Sequence, residues 1–428
     1  MNAILNFTVE NFRSIAQRKS ISFRPDIIKD EPKENIYKSD NFSYLKTVAI
    51  YGANSSGKSN LINALGCMGT ILVNSVKMND KEELPYFPFR LNKKNHLLPT
   101  LYEVDIIIEN TRYKYGFSNK EYKIFDEWLI RVENSGTEKP LFIRNEEGIG
   151  VNEKLFSEGK DLESRTNENR LFVSLVGQLG GEISNKIIGF FSKSLNTLSG
   201  LNTDGLTSYT KYVLNENITG CSDIKHFFKQ LQLGFIDVIT KERNFDINEL
   251  PNDMPKELKD KLAQELKGKK LVSVFSTHGI YDDEGQLVET STFPFEEMES
   301  DGTQKLFDLA GPIFDTIKNG SILVIDELDA KMHPLISREL VALFNNPEQN
   351  PLGAQLIFTT HDINLLSSKL LRRDQIWFTE KDQQERTDVY SLRDIVLPDG
   401  TKPRGDGNLE RNYIKGRYGA IPYINSIL

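Results

Sequence analysis

The eight residues Gly52-Ala53-Asn54-Ser55-Ser56-Gly57-Lys58-Ser59 constrain this chain more than any other feature in it. They satisfy G-x-x-x-x-G-K-[ST] in the context that gives the pattern meaning. Residues 45–51 (LKTVAIY) are an apolar, β-branched run, and from Lys58 onward Leu61, Ile62, Leu65 and Met68 recur at helical spacing. Strand, loop and helix in that order make an anion site. Glycines let backbone N–H groups turn inward around phosphates, and the helix N-terminus adds positive potential. In this reading Lys58 reaches the β- and γ-phosphates of a nucleoside triphosphate, and the Ser59 hydroxyl ligates Mg²⁺. A plain glycine-rich turn is the alternative, and the spacing weighs against it.

The remaining pattern predicts a sheet around that loop. Ile4 to Val9 and the alternation at Ile21 and Phe23 read as early strands, and residues 101–126 as antiparallel strands turning near Asn110, which gives a first lobe of 1–154. Residues 155–268 change to helical spacing, broken by turn formers at 200–202 and 250–253. Leu258, Leu262 and Leu266 repeat along one charged surface helix, but no heptad pattern persists, so a compact helical insertion is expected rather than a coiled-coil arm. A β signal returns at 271–275 and 290–295. Helix Thr303 to Ile317, strand Ile322 to Ile325, helix Pro334 to Phe344 and strand Leu356 to Thr360 follow, giving a second lobe of 269–428. Strands alternating with helices predict an α/β fold, a mixed sheet flanked by helices beside an N-terminal antiparallel β lobe.

Three further groups carry chemistry. Ile322-Leu323-Val324-Ile325 suits a strand buried on both faces, and the Asp326-Glu327 pair at its carboxyl end stands where α/β sheets place ligand sites. Asp326 is the expected Mg²⁺ holder and Glu327 the base that orients an attacking water; read alone, the pair only caps a helix. Thr359-Thr360-His361-Asp362 ends another apolar strand, so His361 sits at the same sheet edge, where a neutral imidazole senses the γ-phosphate. Ser300-Asp301-Gly302-Thr303-Gln304 precedes a helix, and read alone it is an N-cap. His333 shapes the loop after Glu327 at most.

Composition removes several classes. The formal charge is −8, with 53 Lys plus Arg against 61 Asp plus Glu, so the chain is no basic nucleic-acid coat. Cys67 and Cys221 fit no zinc spacing or disulfide framework and suit a reducing cytoplasm. No apolar run approaches the roughly 20 residues that span a bilayer, and no signal peptide is expected. The expected location is cytoplasmic, with no membrane partner.

Taken together, these residues resemble the ABC-type ATPase heads of SMC, RecF and overcoming-lysogenization-defect proteins. They are closer still to stand-alone ATPase subunits of anti-phage systems such as RloA and the abortive-infection and PARIS ATPases. The resemblance covers residues 1 to about 130 and 290–428. In it Asn11-Phe12-Arg13-Ser14 lines the nucleotide, Gly52 to Ser59 is the Walker A loop, Ile322 to Glu327 the Walker B strand, Leu328-Asp329 the D-loop and His361 the switch histidine. Residues 372–378 and 415–422 resemble features of the defence-type ATPases.

This resemblance implies a P-loop NTPase of ABC type. It implies ATP held by Arg13, Gly52, Asn54, Ser55, Ser56, Gly57, Lys58, Ser59 and Asn60, Mg²⁺ on Ser59 and Asp326, and catalysis by Glu327, His361 and Lys58. Such heads act as homodimers or larger homo-oligomers, with Ser300 and Gly302 of one copy closing over ATP on the other.

Two departures matter. Asp301 and Thr303 stand where the LSGGQ signature has glycines, which implies slow hydrolysis, and no Gln lies between Gln17 and Gln178 to follow the Walker A helix; Pro88 to Asn92 falls in that place. Residues 362–428 are too few for a nuclease domain, so a separate nuclease or toxin-like effector is expected. Lys402, Arg404, Arg411, Lys415 and Arg417 outnumber Asp406 and Glu410 in the last segment, which faces DNA, an acidic partner or only solvent. The expected function is an ATP-driven switch controlling an effector in anti-phage defence. The alternative is a RecF-like ATP-dependent DNA-binding protein of repair or maintenance.

Overall fold

A computed structural model of the chain describes residues 1–28, 31–79, 81–201, 205–218, 220–244, 254–266, 270–397, 400–403 and 407–422. The turn expected at 250–253, and Arg404 and Asp406 of the basic C-terminal segment, lie outside the described residues. Two units are present: residues 1–201, 319–330 and 334–428 form one, and 202–318 with 331–333 the other.

The first unit opens with β1 (Asn2–Glu10), β2 (Lys19–Ser22) and the hairpin β3 (Ile36–Lys38) and β4 (Ser43–Leu45). β5 (Thr47–Gly52) leads through the glycine-rich loop into α1 (Lys58–Asn74). An antiparallel run follows in β6 (Thr100–Ile108), β7 (Thr111–Lys120), β8 (Lys123–Val132), β9 (Glu138–Asn145) and β10 (Gly148–Val151). With β1 and β2 these make a seven-stranded sheet in the order β10-β9-β8-β7-β6-β1-β2. Glu109 and Asn110, at φ 48 and 65, form the two-residue turn between β6 and β7, the backbone that tight hairpins demand. Next come α2 (Phe172–Gln178), α3 (Glu182–Gly189) and β11 (Leu195–Ser199).

The second unit holds α4 (Leu206–Asn215), α5 (Cys221–Leu231), β12 (Asp237–Asn244), α6 (Lys256–Leu266), β13 (Lys270–Tyr281), β14 (Leu287–Pro294), α7 (Phe295–Met298) and α8 (Asp301–Asn319). Its three strands pair in the order β12-β13-β14, and Phe228, Phe295 and Phe307 pack among its helices. The expected boundaries at 154/155 and 268/269 do not coincide with these units. Phe172, Val173 and Val176 belong to the core of the first unit, which draws α2 out of the expected insertion. The insertion is also not purely helical. The charged run Asp237–Asn244 is a strand because Val238 to Asn244 pair with Lys270 to Ser276, a long-range pairing that local propensity does not record.

Back in the first unit, β15 (Ile322–Asp326), α9 (Pro334–Asn345), β16 (Gln355–Thr359), β17 (Ile376–Lys381), β18 (Thr387–Ser391) and α10 (Leu409–Ile414) complete the chain. The second sheet is six-stranded, ordered β11-β15-β16-β5-β17-β18, parallel except for the antiparallel edge β18. This mixed sheet with flanking helices, beside the antiparallel sheet, is the expected P-loop architecture of ABC type. All six residues of β5 and all five of β16 are buried, as two-faced coverage requires.

Along α1, Leu61, Leu65, Met68 and Leu72 recur on one buried face and share a core with Phe117 of one sheet and Val324 of the other. Burying each such leucine is worth about 1.5–3 kcal/mol. Gln355 stitches the two sheets together. Its amide accepts from the N–H of Ile4 at 2.7 Å and donates to the Ile4 and Leu45 carbonyls at 3.1 and 3.0 Å, where the register of β1 slips. Among the described residues no helix is long and apolar enough to cross a membrane.

Candidate functional site

Strand register assembles the site. Ser199 pairs with Asp326, Ile325 with Phe358, Thr359 with Ile50, and Thr379 with Gly52, so the carboxyl ends of five parallel strands meet along one sheet edge. The glycine-rich loop, Asp326, Glu327 and His361 all lie there, as the spacing predicts.

The loop is braced by the β17–β18 hairpin. A Cβ on Gly52 would come within 2.5 Å of the Ser56 Oγ and of Thr379, and one on Gly57, at φ 112, within 2.2 Å of the Thr387 Oγ1. Both positions therefore admit only glycine. The Ser56 hydroxyl bonds Thr379 at 2.6 Å, and Thr387 donates to the Ser56 carbonyl at 2.9 Å. Ser56 also donates its N–H to the Ala53 carbonyl, so the buried Ser56 is held from both its backbone and its side chain. From Thr387 the chain of hydroxyls continues to Ser14 at 2.7 Å and then to Asn60 at 2.7 Å, and the Arg13 guanidinium donates to Asn60 Oδ1 at 3.4 Å. Arg13 and Asn60, both expected at the nucleotide, are thus brought together.

Asn54 and the φ 63 residue Ser55 stay exposed at the loop tip. No side chain caps α1, which leaves the first helical N–H groups as open donors beside the loop. The Lys58 ammonium folds back onto the Gly52 and Ala53 carbonyls at 2.9 and 3.1 Å. Burial pushes its pKa below the ordinary range, against the opposing pull of Glu327, Asp326 and Asp329. A buried cation, open N–H donors and two glycines with no room for a Cβ form a cradle for an anion.

On the acidic side one hydroxyl connects the Asp326 carboxylate to the Glu327 backbone. Thr359 Oγ1 donates to Asp326 Oδ1 at 2.6 Å and accepts the Glu327 N–H at 2.7 Å. Glu327 sits at φ 57, a left-handed conformation that costs a non-glycine residue about 1–2 kcal/mol. Such backbone persists where the surroundings over-determine it. Gly200, at the end of β11, donates its N–H to the Asp326 carbonyl at 2.6 Å, and a Cβ there would lie 2.1 Å from the Glu327 carbonyl oxygen. The His361 N–H donates to Asp329 at 3.3 Å, while burial and then Lys58 depress the imidazole pKa below its ordinary value, against Asp329, Glu327 and Asp326. A neutral ring is the outcome at pH 7. A cleft of about 850 Å³ is lined by Gly52, Ser55, His361, Lys381, Tyr413 and Ile421.

Ser300 and Gly302 belong to the second unit and are described within it. The Ser300 hydroxyl accepts the Thr303 N–H at 3.3 Å and bonds the Thr303 hydroxyl at 3.0 Å, which is the N-cap geometry of α8. Gly302 lets the Lys331 carbonyl approach, since a Cβ would lie 2.7 Å from it, and Lys331 pairs with Asp301 at 3.1 Å.

Thr359, Thr379, Thr387 and Gly200 are the positioning residues that sequence reasoning missed. Thr359 lies in the Thr359-Thr360-His361-Asp362 motif and Gly200 in the turn expected at 200–202, neither of which signals a place at the site for these two residues, and Thr379 and Thr387 carry no local signal.

The sequence profile of the family described as "AAA domain, putative AbiEii toxin, Type IV TA system" matches residues 48–367, and the chain belongs to that family. No curated protein matches it. Among solved structures it is similar to the SMC head domain from Thermotoga maritima, at 13% identity and TM-score 0.41 over 91% of this chain and 98% of that one. A Smc head domain with an extended coiled coil, bound to the C-terminal domain of ScpA derived from Pyrococcus furiosus, matches at 11% identity and TM-score 0.40 over 91% of this chain and 96% of that one.

Proposed function

We propose that this P-loop ATPase binds and slowly hydrolyses ATP, and that closure of two copies on the nucleotide controls a separate effector protein in bacterial anti-phage defence. The observation that carries the reading is the Thr359 hydroxyl joining Asp326 to Glu327 at the sheet edge that also bears the Lys58 loop. A merely structural turn has no use for two acids near enough to a buried lysine to oppose the lowering of its pKa. The residues fit both groups that the reading needs. The loop offers N–H donors and an ammonium to a triphosphate, and the Ser59 hydroxyl with the Asp326 carboxylate would hold Mg²⁺ through hard oxygen donors. Bound Mg²⁺ would supply charge neutralisation on the phosphates. Glu327 would take the proton of the attacking water, His361 would donate its ring N–H to the γ-phosphate, and Arg13 with Asn60 would face the nucleotide from the side of α1. Ser300 and Gly302 of a second copy would seal the site.

A toxin-type, two-component setting is supported by the family's own description, a putative AbiEii toxin of a type IV TA system. Slow turnover is supported by Asp301, whose carboxylate beside Ser300 would repel a partner's phosphates. Calorimetry with Mg-ATP and light scattering test the reading together. Lys58→Ala should lose nucleotide binding, and Glu327→Gln should retain ATP and accumulate as a closed dimer. Wild-type hydrolysis by Glu327→Gln, or a chain that stays monomeric when saturated with ATP, would refute it.

A further inference from the structure

From Pro85 to Tyr102 the chain has no acidic residue, yet it carries Arg90, Lys93, Lys94 and His96. Among the described residues none of Arg90, Lys93 and Lys94 forms an ion pair, although the chain as a whole has a charge of −8. The same segment exposes Leu91 at 64%, Leu97 at 73% and Leu98 at 48%. Unpaired cations interleaved with exposed leucines make a surface that water alone does not explain.

The backbone beneath this surface is firmly built. Asn11, buried and at φ 53, donates its amide to the Asn95 and Leu98 carbonyls at 2.9 Å each and accepts the Phe89 N–H at 3.1 Å. Tyr86 Oη lies 2.7 Å from the Leu98 carbonyl, and Lys120 reaches that of Leu97 at 3.4 Å. The loop also touches the nucleotide side. The Arg13 N–H donates to the Phe87 carbonyl at 2.6 Å, and its guanidinium stacks 5.4 Å from the Phe87 ring. In the adjoining cleft of about 400 Å³, the carboxylate of Glu385 is taken up by Lys381 at 3.7 Å.

We propose that residues 86–98 are the docking face for an acidic, leucine-bearing segment of a partner protein, and that docking is linked to nucleotide through Arg13. This rests on the effector-control reading above. The charge selects an acidic partner. The aliphatic side chains select protein over nucleic acid, because leucines gain only from another apolar surface, whereas sequence-tolerant nucleic-acid binding uses free aromatic faces. Phe87, the aromatic ring nearest Arg13, is already engaged with that guanidinium.

The test uses the full chain and a labelled synthetic peptide with leucines at helical spacing among glutamates. Polyglutamate without leucine and a single-stranded oligonucleotide serve as the other probes. The peptide should bind, lose affinity with salt, and bind roughly tenfold more weakly to Lys93→Glu/Lys94→Glu and to Leu97→Ser. Peptide affinity should change when ATP is added, and linkage requires ATP affinity to change by the same factor when peptide is added. Absence of peptide binding, equal binding to the charge-reversed chain, or displacement by the oligonucleotide overturns the docking face. Identical affinity with and without ATP overturns the link to nucleotide. ATP binding measured on the same samples keeps failure of the ATPase reading separate from failure of this one.

Discussion

Thr359→Val changes the side chain little in shape and deletes the hydroxyl that bonds the Asp326 carboxylate and the Glu327 backbone. Two bonds are lost: one at 2.6 Å to the Asp326 carboxylate and one at 2.7 Å from the Glu327 N–H. A hydrogen bond to a charged group is worth about 1.5–3 kcal/mol, and a buried donor left unsatisfied costs about 1–3 kcal/mol. Thr359 is fully buried, so water does not replace the hydroxyl. If about 2–3 kcal/mol of the loss falls on the orientation of the acids, turnover drops roughly 30- to 150-fold, at about 1.4 kcal/mol per tenfold. The assay is ATP hydrolysis titrated with Mg²⁺, run beside urea unfolding of the nucleotide-free chain. The valine variant should show a higher Mg²⁺ half-saturation and a lower kcat, and Thr359→Ser should restore both. A purely structural role would lower the urea midpoint and leave the Mg²⁺ half-saturation where it was. Wild-type kcat and wild-type Mg²⁺ response in Thr359→Val would refute the reasoning outright.

Gly200→Ala places a methyl 2.1 Å from the Glu327 carbonyl oxygen, a backbone atom with nowhere to swing, so urea unfolding should show a loss on the order of 1–3 kcal/mol. For His361 the folded pKa is depressed, so the unfolded chain binds the proton more readily. Its contribution is complete above the ordinary value of 6.5 and is lost as pH falls from there through the lower folded value, and His361→Gln should flatten that acid slope in denaturation midpoints. Lys46, buried and bonded to the Asn345 carbonyl, has its pKa lowered to about 8. Stability should therefore rise with pH between about 8 and the ordinary 10.5, and Lys46→Met should remove that rise in melting curves taken across the window.

What was legible in the sequence shares one property: its chemistry is local. The Gly52–Ser59 loop announces itself because strand, glycines and helix are adjacent in the chain, and Asp326-Glu327 because two burial-averse carboxylates follow a two-faced apolar strand. α1, α8, β15 and β16 were visible for the same reason, as periodicity within a single window. β12 was hidden because its partner lies a helix away and its exposed charges imitate a surface helix. α2 falls outside the expected insertion because its run of apolar residues says only that it is buried, not against which core. Thr379 and Thr387 gave no sign at all. A threonine in a strand is ordinary, and only the register of Thr379 with Gly52, and the Ser14–Thr387 contact across almost the whole chain, turns the pair into parts of the loop.

That last point bears on how the anion cradle can exist before a ligand arrives. A glycine-rich loop has more backbone freedom to lose than any other segment, and a flexible loop would surrender it on binding. Here the freedom is removed during folding. Thr379 and Thr387 hold Ser56 from two sides, Gly52 and Gly57 are packed with no space for a methyl, and Ser14 and Asn60 carry the network on to Arg13. The hairpin that supplies the threonines is itself fastened, because Tyr390 bonds Glu380 and the Tyr418 carbonyl at 3.0 and 2.9 Å and Phe378 stacks on Tyr413. Each hydrogen bond contributes only about 1 kcal/mol, but together they shift the ordering cost from the binding step to the folding step. On the proposed reading, nucleotide affinity would therefore depend on Thr379 and Thr387 as well as on the loop that they brace.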